Sequence, residues 1–225
     1  EDIGTGFKNA VIRTVVGTAV NLIFSILAAY PLSKKYFPHR NIWTGLIIFT
    51  MYFSGGMIPG YLLVKQLGLL NTMWAMIIPS AINTYNMIIM RNFFMSLPSA
   101  LEEAARIDGC DDFRYLIKIA LPLSVPVLAV VGMYYAVGQW NSYFNAFLYL
   151  QSQKLFPLQI VLRDILILNS ANDAIGDLEI ARQREYMAEL LKYSLIVVSS
   201  LPVILIYLLV QKHLIKGIMI GAIKG

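Results

Sequence analysis

Five carboxylates, Glu102, Glu103, Asp108, Asp111 and Asp112, stand with Arg106 and Arg114 in one short stretch of an otherwise apolar chain. Paired acids can do general acid–base work, but no histidine accompanies them as a proton partner. Asp111-Asp112 stands instead where a helix start wants a cap. The two histidines, His39 and His213, lie in basic segments and read as part of a charge pattern rather than as ligands. Cys110 is the only cysteine, which excludes an internal disulfide and a cysteine-based zinc cluster. No nucleophile–base pair lies at usable spacing, and no Gly-x4-Gly-Lys-Ser/Thr phosphate loop occurs. These residues point to binding and mechanics, not to an enzyme.

A second set is polar and aromatic: Asn83, Tyr85 and Asn86, then Tyr134, Tyr135, Gln139, Trp140, Asn141 and Tyr143, with Asn145 just beyond. Aromatic faces suit the C–H surface of a sugar ring and amides suit its hydroxyls, so this inventory would fit a carbohydrate path. Two other readings stay open. Tyr and Trp gather at membrane interfaces, and Asn and Gln bridge neighbouring membrane helices.

The solvent that such residues meet follows from composition. Hydrophobic residues make up 58% of the 225 and charged residues only 14%. A soluble domain carries about 25% charged residues, so lipid is the implied solvent, with mean hydropathy at +0.65. The net charge of +5 comes from basic residues scattered between apolar runs. That pattern fits membrane topology and not nucleic-acid binding. Glu1-Asp2 lacks the basic start of a secretory signal peptide.

A membrane helix needs roughly 20 apolar residues. Five segments are read as spans: about Val11–Leu32, Ile42–Met57 with Gly55-Gly56 interrupting it, Leu70–Met90 with Pro79 inside, Leu123–Tyr143, and Leu190–Val210 with Pro202 inside. Residues 1–10 are read as an extracytoplasmic lead-in and 150–189 as an outer loop. One set of connections holds Lys34, Lys35, Arg40, Arg91, Arg106, Arg114, Lys118, Lys212, Lys216 and Lys224, with few acids. The excess of Lys and Arg makes that set cytoplasmic. The amino terminus then faces out, and a chain starting in the cytoplasm needs one more helix before Glu1, six in all.

Residues 91–122 are too long for a simple connection and are patterned like helix. Ser99 and Glu102 have capping-box spacing behind Pro98. Leu101, Ala104, Ala105 and Ile107 form an apolar stripe, and Asp108-Gly109 stops the helix. Asp111-Asp112 can cap a second helix from about Phe113 to Ala120, which Leu121-Pro122 ends. Two short helices and a tight turn are expected on the cytoplasmic side, and their apolar face needs a partner.

Read in order, this hairpin is Glu103-Ala104-Ala105, Asp108-Gly109, nine residues, then Ile119, Leu121 and Pro122. It resembles the EAA motif of importer permeases of the ATP-binding-cassette superfamily, with Cys110 where that family more often has alanine. Ala28 to Ser33 resembles the start of this permease domain, and Trp140-Asn141, Lys216-Gly217 and Lys224-Gly225 resemble its carbohydrate-type branch. Tyr52 to Pro59 resembles the subgroup that serves complex sugars. Phe53-Ser54-Gly55-Gly56-Met57 superficially resembles the ATPase signature loop Leu-Ser-Gly-Gly-Gln, but it lies at the outer end of a span and reads as a helix end.

The resemblance implies an all-helical, polytopic membrane bundle of the type I importer permease (MetI-like) fold, 11–225, in a bacterial cytoplasmic membrane. It implies that Glu103, Ala104, Ala105, Asp108, Gly109, Ile119, Leu121 and Pro122 couple to an ATPase. Glu103 would be the polar contact, Gly109 the turn, and Ala104 and Ala105 the residues that let two surfaces approach. The implied partners are a second, different permease subunit, two ATP-binding subunits that carry ATP and Mg2+, and an extracytoplasmic binding protein met by the 150–189 loop. No cofactor is expected in this chain. The implied activity is uptake of a sugar or oligosaccharide. Rival readings are a permease for a peptide or polyamine, and a secondary transporter, whose inverted repeat and mid-helix charges are not evident.

Overall fold

The computed structural model describes residues 2–171, 190, 193–194 and 196–212. Helix α1, Asp2–Ser33, is the axis of the molecule. It packs most extensively on α9 and α5, which run alongside it. Its 32 residues reach about 48 Å at roughly 1.5 Å per residue, more than a bilayer core of about 30 Å. The helix continues through residues expected as a lead-in. Tertiary contact, not hydropathy, is the reason. Ala10 is buried with Trp140 and Leu158, Phe7 meets the Trp140 ring edge-on at 5.9 Å, and Asn9 donates to the carbonyls of Lys154 and Phe156.

The second and third expected spans are broken. Helix α2, Arg40–Tyr52, gives way to extended residues and then to α3, Met57–Gln66, at an angle of 112°. Gly56 makes the corner at φ 87, where a side chain would be strained. In the third, α4, Trp74–Ile77, passes into one 3-10 turn at Ile78–Ser80, and α5, Thr84–Ser96, starts afresh. Pro79 lies within that turn and cannot donate a backbone N–H, so a straight helix through it would lose a bond. Asn83 then caps α5, its side chain accepting from the Asn86 N–H at 3.1 Å.

The hairpin follows as α6, Ser99–Ile107, and α7, Asp112–Tyr115. A wider π turn, Leu116–Ala120, leads into α8, Leu121–Leu123, and the chain bends by 83° into α9, Val125–Asn141. Leu121-Pro122 therefore does not end the second arm as expected. The chain stays helical through them, and the break falls at Ser124, whose N–H is shared between the carbonyls of Ala120 and Leu121. Helix α10, Tyr143–Tyr149, and a 3-10 turn at Gln153–Leu155 precede α11, Leu158–Ala171. Part of the expected outer loop is thus helix, docked on α1 through buried Leu158 beside Ala10, while Ile160 packs with Met76, Ala146 and Leu150. The turn signals and charges from Asn172 to Glu189 lie outside the described residues, as do His213, Lys216 and Lys224. A last apolar helix, α12, runs Ile196–Lys212, and Trp140 donates its indole N–H to the Ser199 carbonyl at 3.0 Å.

Among the described residues α1 alone is long and apolar enough to cross a membrane. The pairs α2–α3 and α7–α9 pass only if each bent pair counts as one span. The main core joins the second half of α1 to α5, the hairpin and α9: Ala29, Tyr30, Leu32, Met87, Met90, Phe94, Ala105, Tyr115, Leu116, Val127 and Val131. At the other end Asn71 takes a left-handed turn (φ 57). Its side-chain oxygen accepts from the N–H groups of Gln151 and Ser152 at 3.0 and 2.9 Å, and this ties the loops of that end together.

Candidate functional site

The turn of the hairpin follows from its backbone bonds. Asp108 closes α6, Gly109 adopts φ 74, the Gly109 N–H donates to the Arg106 carbonyl, and the Cys110 N–H donates to the Ala105 carbonyl. This pair of bonds is a Schellman stop, in which glycine takes the left-handed position at least cost. Asp111 then caps α7, its carboxylate accepting from the Arg114 N–H at 2.7 Å. The expected capping box at the start of α6 does not form. Pro98 holds the cap position and makes no side-chain bond. Glu102 is engaged elsewhere, 2.7 Å from the Lys34 ammonium and 3.2 Å from Arg106.

Exposure divides the residues expected to couple. Glu103, Ala104, Asp108, Gly109 and Pro122 face outward. Ala105 is buried in the chain's own core, and Ile119 and Leu121 pack partly against it. The small size of Ala105 lets α6 sit close on the chain's own core. The outer surface is completed by Leu101, Ile107, Phe113 and Ile117; Ile107 is 86% exposed. Large apolar side chains exposed together in this way mark a contact surface.

The hairpin sits at the same end of the bundle as the Lys34 loop. Lys34 lies over the rings of Tyr30 and Tyr115 at 4.5 and 4.6 Å, and the Tyr30 hydroxyl donates to the Asp112 carbonyl at 3.2 Å. Arg106 reaches Asp112 at 3.3 Å and stacks on the Tyr36 ring at 4.5 Å. Burial first, then a hydrogen bond to Asp112 and the nearby carboxylates, pushes the Tyr36 hydroxyl up to about 12. It stays neutral and able to donate at physiological pH.

The polar and aromatic residues do not converge on one site. Tyr135, Gln139, Trp140 and Asn86 are buried. The Tyr135 hydroxyl lies 2.6 Å from Ser25 and accepts from the Asn83 N–H at 3.0 Å. Gln139 fills the space that Gly17 leaves, where a Cβ would fall 2.8 Å from its side chain. The Tyr135 hydroxyl thus ties α1, α9 and the start of α5 together, and Gln139 packs α9 against α1. Tyr85, Tyr134, Asn141 and Tyr143 are exposed, and Trp140, Asn141 and Tyr143 share one open groove with Gln159 and Arg163.

Two features escaped the sequence reading. Arg13 is the only charged residue from Ala10 to Ser33 and is 2% exposed. It donates to the carbonyls of Gln139 and Ser142 and so caps the end of α9. A lone charge in an apolar run was the available signal. Thr14, Thr18, Asn21 and Ser25 are spaced four, three and four apart, which places them on one face of α1. Among the described residues Thr14, Thr18 and Asn21 each have a buried oxygen without a hydrogen-bond partner.

Against known proteins, residues 21–220 match the family described as binding-protein-dependent transport system inner membrane component. The chain is 49% identical over 213 residues to protein LplC of Bacillus subtilis, covering 94% of this chain and 71% of that protein. It is 46% identical over 217 residues to the polygalacturonan/rhamnogalacturonan transport system permease protein YtcP of the same organism, covering 96% and 75%. The crystal structure of a bacterial ABC transporter involved in import of the acidic polysaccharide alginate contains a chain that superposes with a TM-score of 0.83. That chain is 36% identical, and the match covers 95% of this chain and 76% of that one.

Proposed function

The chain belongs to the binding-protein-dependent transport system inner membrane component family, and on that premise we propose that it is the permease subunit through which an ATP-binding-cassette importer moves a saccharide. The reading draws its cargo from relatives named for polygalacturonan, rhamnogalacturonan and arabinooligosaccharides and from the alginate importer. It is a multi-pass subunit of the bacterial cytoplasmic membrane. It pairs with a second permease, takes substrate from an extracytoplasmic binding protein, and leaves ATP hydrolysis to two cytoplasmic subunits.

The observation that carries the reading is the hairpin. Its inner face is committed to the chain's own core through Ala105, Tyr115 and Leu116. Its outer face offers Glu103, Ala104, Ile107 and Phe113, a surface with an acidic group beside apolar ones and a flat alanine between. Such a surface can seat in a cleft of a nucleotide-driven subunit, so that closure of that subunit drives a rigid-body switch of the helices. Glu103→Lys tests it, because Glu103 is exposed and its replacement leaves the fold alone. Co-purification of the ATPase should fall and uptake should be lost. Unchanged co-purification and uptake would falsify the coupling role. Uptake of labelled oligogalacturonide, arabino-oligosaccharide and peptide by the assembled transporter separates the cargo classes; transport of the peptide alone would remove the saccharide reading.

A further inference from the structure

A coupling hairpin must transmit as well as dock. Its covalent links lead only to α5, through the extended residue Leu97, and to α9, through the bend at Ser124. Both links are places where the helix is interrupted, so neither is a stiff rod. The longest helix, α1, is joined to the hairpin through side chains alone.

Those side chains meet at Lys34. Its ammonium is 2.7 Å from Glu102 on α6, with the two side chains 11% and 22% exposed. It lies over Tyr30 on α1 and Tyr115 on α7 at 4.5 and 4.6 Å, well inside the range at which a ring face attracts a cation. One cation therefore touches both arms of the hairpin and the last turn of α1. Screening from water is weak there, because the ion pair is mostly covered. Around it, Tyr30 donates to the Asp112 carbonyl, Arg106 spans Glu102, Asp112 and the Tyr36 ring, and Arg91 on α5 donates to the Leu32 carbonyl at 2.9 Å. Residues 30–36 are tied to the hairpin at Tyr30, Lys34 and Tyr36 and to α5 at Leu32.

We propose that Lys34 is the strut that makes the hairpin and the end of α1 move as one body, so that motion imposed by the ATPase enters the bundle through α1. Lys34 is a positioning residue in this role: it contacts neither nucleotide nor saccharide and acts by fixing Glu102 and Tyr115. The inference rests on the importer reading above. By sequence alone Lys34 is one of several positive charges that set orientation.

The test uses the complete transporter, with its partner permease, ATPase subunits and binding protein, in proteoliposomes. Lys34→Met keeps the length of the side chain and removes the charge; Lys34→Arg keeps the charge. Lys34→Met should assemble and hydrolyse ATP, but saccharide moved per ATP should fall by about tenfold. Lys34→Arg should restore the ratio to within about twofold, since guanidinium also stacks on tyrosine and pairs with carboxylate. Two results overturn the proposal: a wild-type ratio in Lys34→Met, or a complex that fails to assemble with both variants, which makes the residue structural only. Failure here is separable from failure of the importer reading. In the first case Glu103→Lys still releases the ATPase while Lys34→Met transports normally; in the second Glu103→Lys itself has no effect.

Discussion

Tyr135 shows how a residue of the right type for sugar binding can be claimed by the fold instead. Its hydroxyl is buried against Ser25 and takes the Asn83 N–H, so it links α1, α9 and the start of α5. Tyr135→Phe and Ser25→Ala each remove the same hydrogen bond between helices, a contact worth about 0.6–1.7 kcal/mol in membrane proteins. Each should lower thermal stability in detergent while leaving saccharide affinity unchanged. The double variant should be less destabilised than the sum of the two, because they share one bond. A loss of affinity without loss of stability would return Tyr135 to the substrate path. Residue type alone could not settle this, since a tyrosine in a helix reads the same whether its hydroxyl faces a solute or a serine.

Among the elements, the hairpin was the most legible and its inner face the least. Glu103-Ala104-Ala105, Asp108-Gly109 and the cap at Asp111 are local signals, and each appears in the structure at its expected place: the exposed turn, the Schellman stop, the capped second arm. Gly109→Ala meets open space, yet φ 74 is strained for a side chain. It should cost roughly 1–2 kcal/mol. Asp111→Ala should cost about 1 kcal/mol through the lost cap. Hydrogen exchange should show both variants opening the hairpin while α1 and α9 keep wild-type protection. Protection lost across the whole bundle would mean that the hairpin is not a separable unit. The capping box failed because Glu102 found a cation 68 residues away in sequence, which no local pattern can announce. The 3-10 turn at Pro79 and the corner at Gly56 were present in the sequence as breakers, but how far each breaks a helix depends on what packs beside it.

For the whole molecule, the structure puts the Lys34 loop and the hairpin at one end and the Asn71 clip and the start of α1 at the other. This agrees with the sorting of loops by charge. The single cysteine offers a direct check of sidedness. Cys110, half-buried in the hairpin, should resist a membrane-impermeant maleimide in intact cells and react in inside-out vesicles. In a Cys110→Ala background, Lys154→Cys, exposed at the opposite end, should show the reverse. Labelling of Cys110 from outside intact cells would invert the topology and remove the hairpin from any cytoplasmic partner.

The sequence by itself determined the apolar surroundings, the grouping of the Lys34 loop with the hairpin at one end and the turn of that hairpin, because composition, loop charge and a turn motif are properties of short windows. Only the tertiary structure decided which polar side chains are free. Tyr135, Gln139 and Trp140 were consumed between helices, Arg13 was spent on the carbonyls ending α9, and Lys34 was drawn into an ion pair across the fold. The physical reason for Tyr135, Trp140 and Arg13 is the membrane; for Lys34, outside it, the pull is a carboxylate and two ring faces that the fold brings close. Inside lipid a polar group must find its partner within the protein, and which partner it finds depends on residues brought close by the fold rather than by the chain.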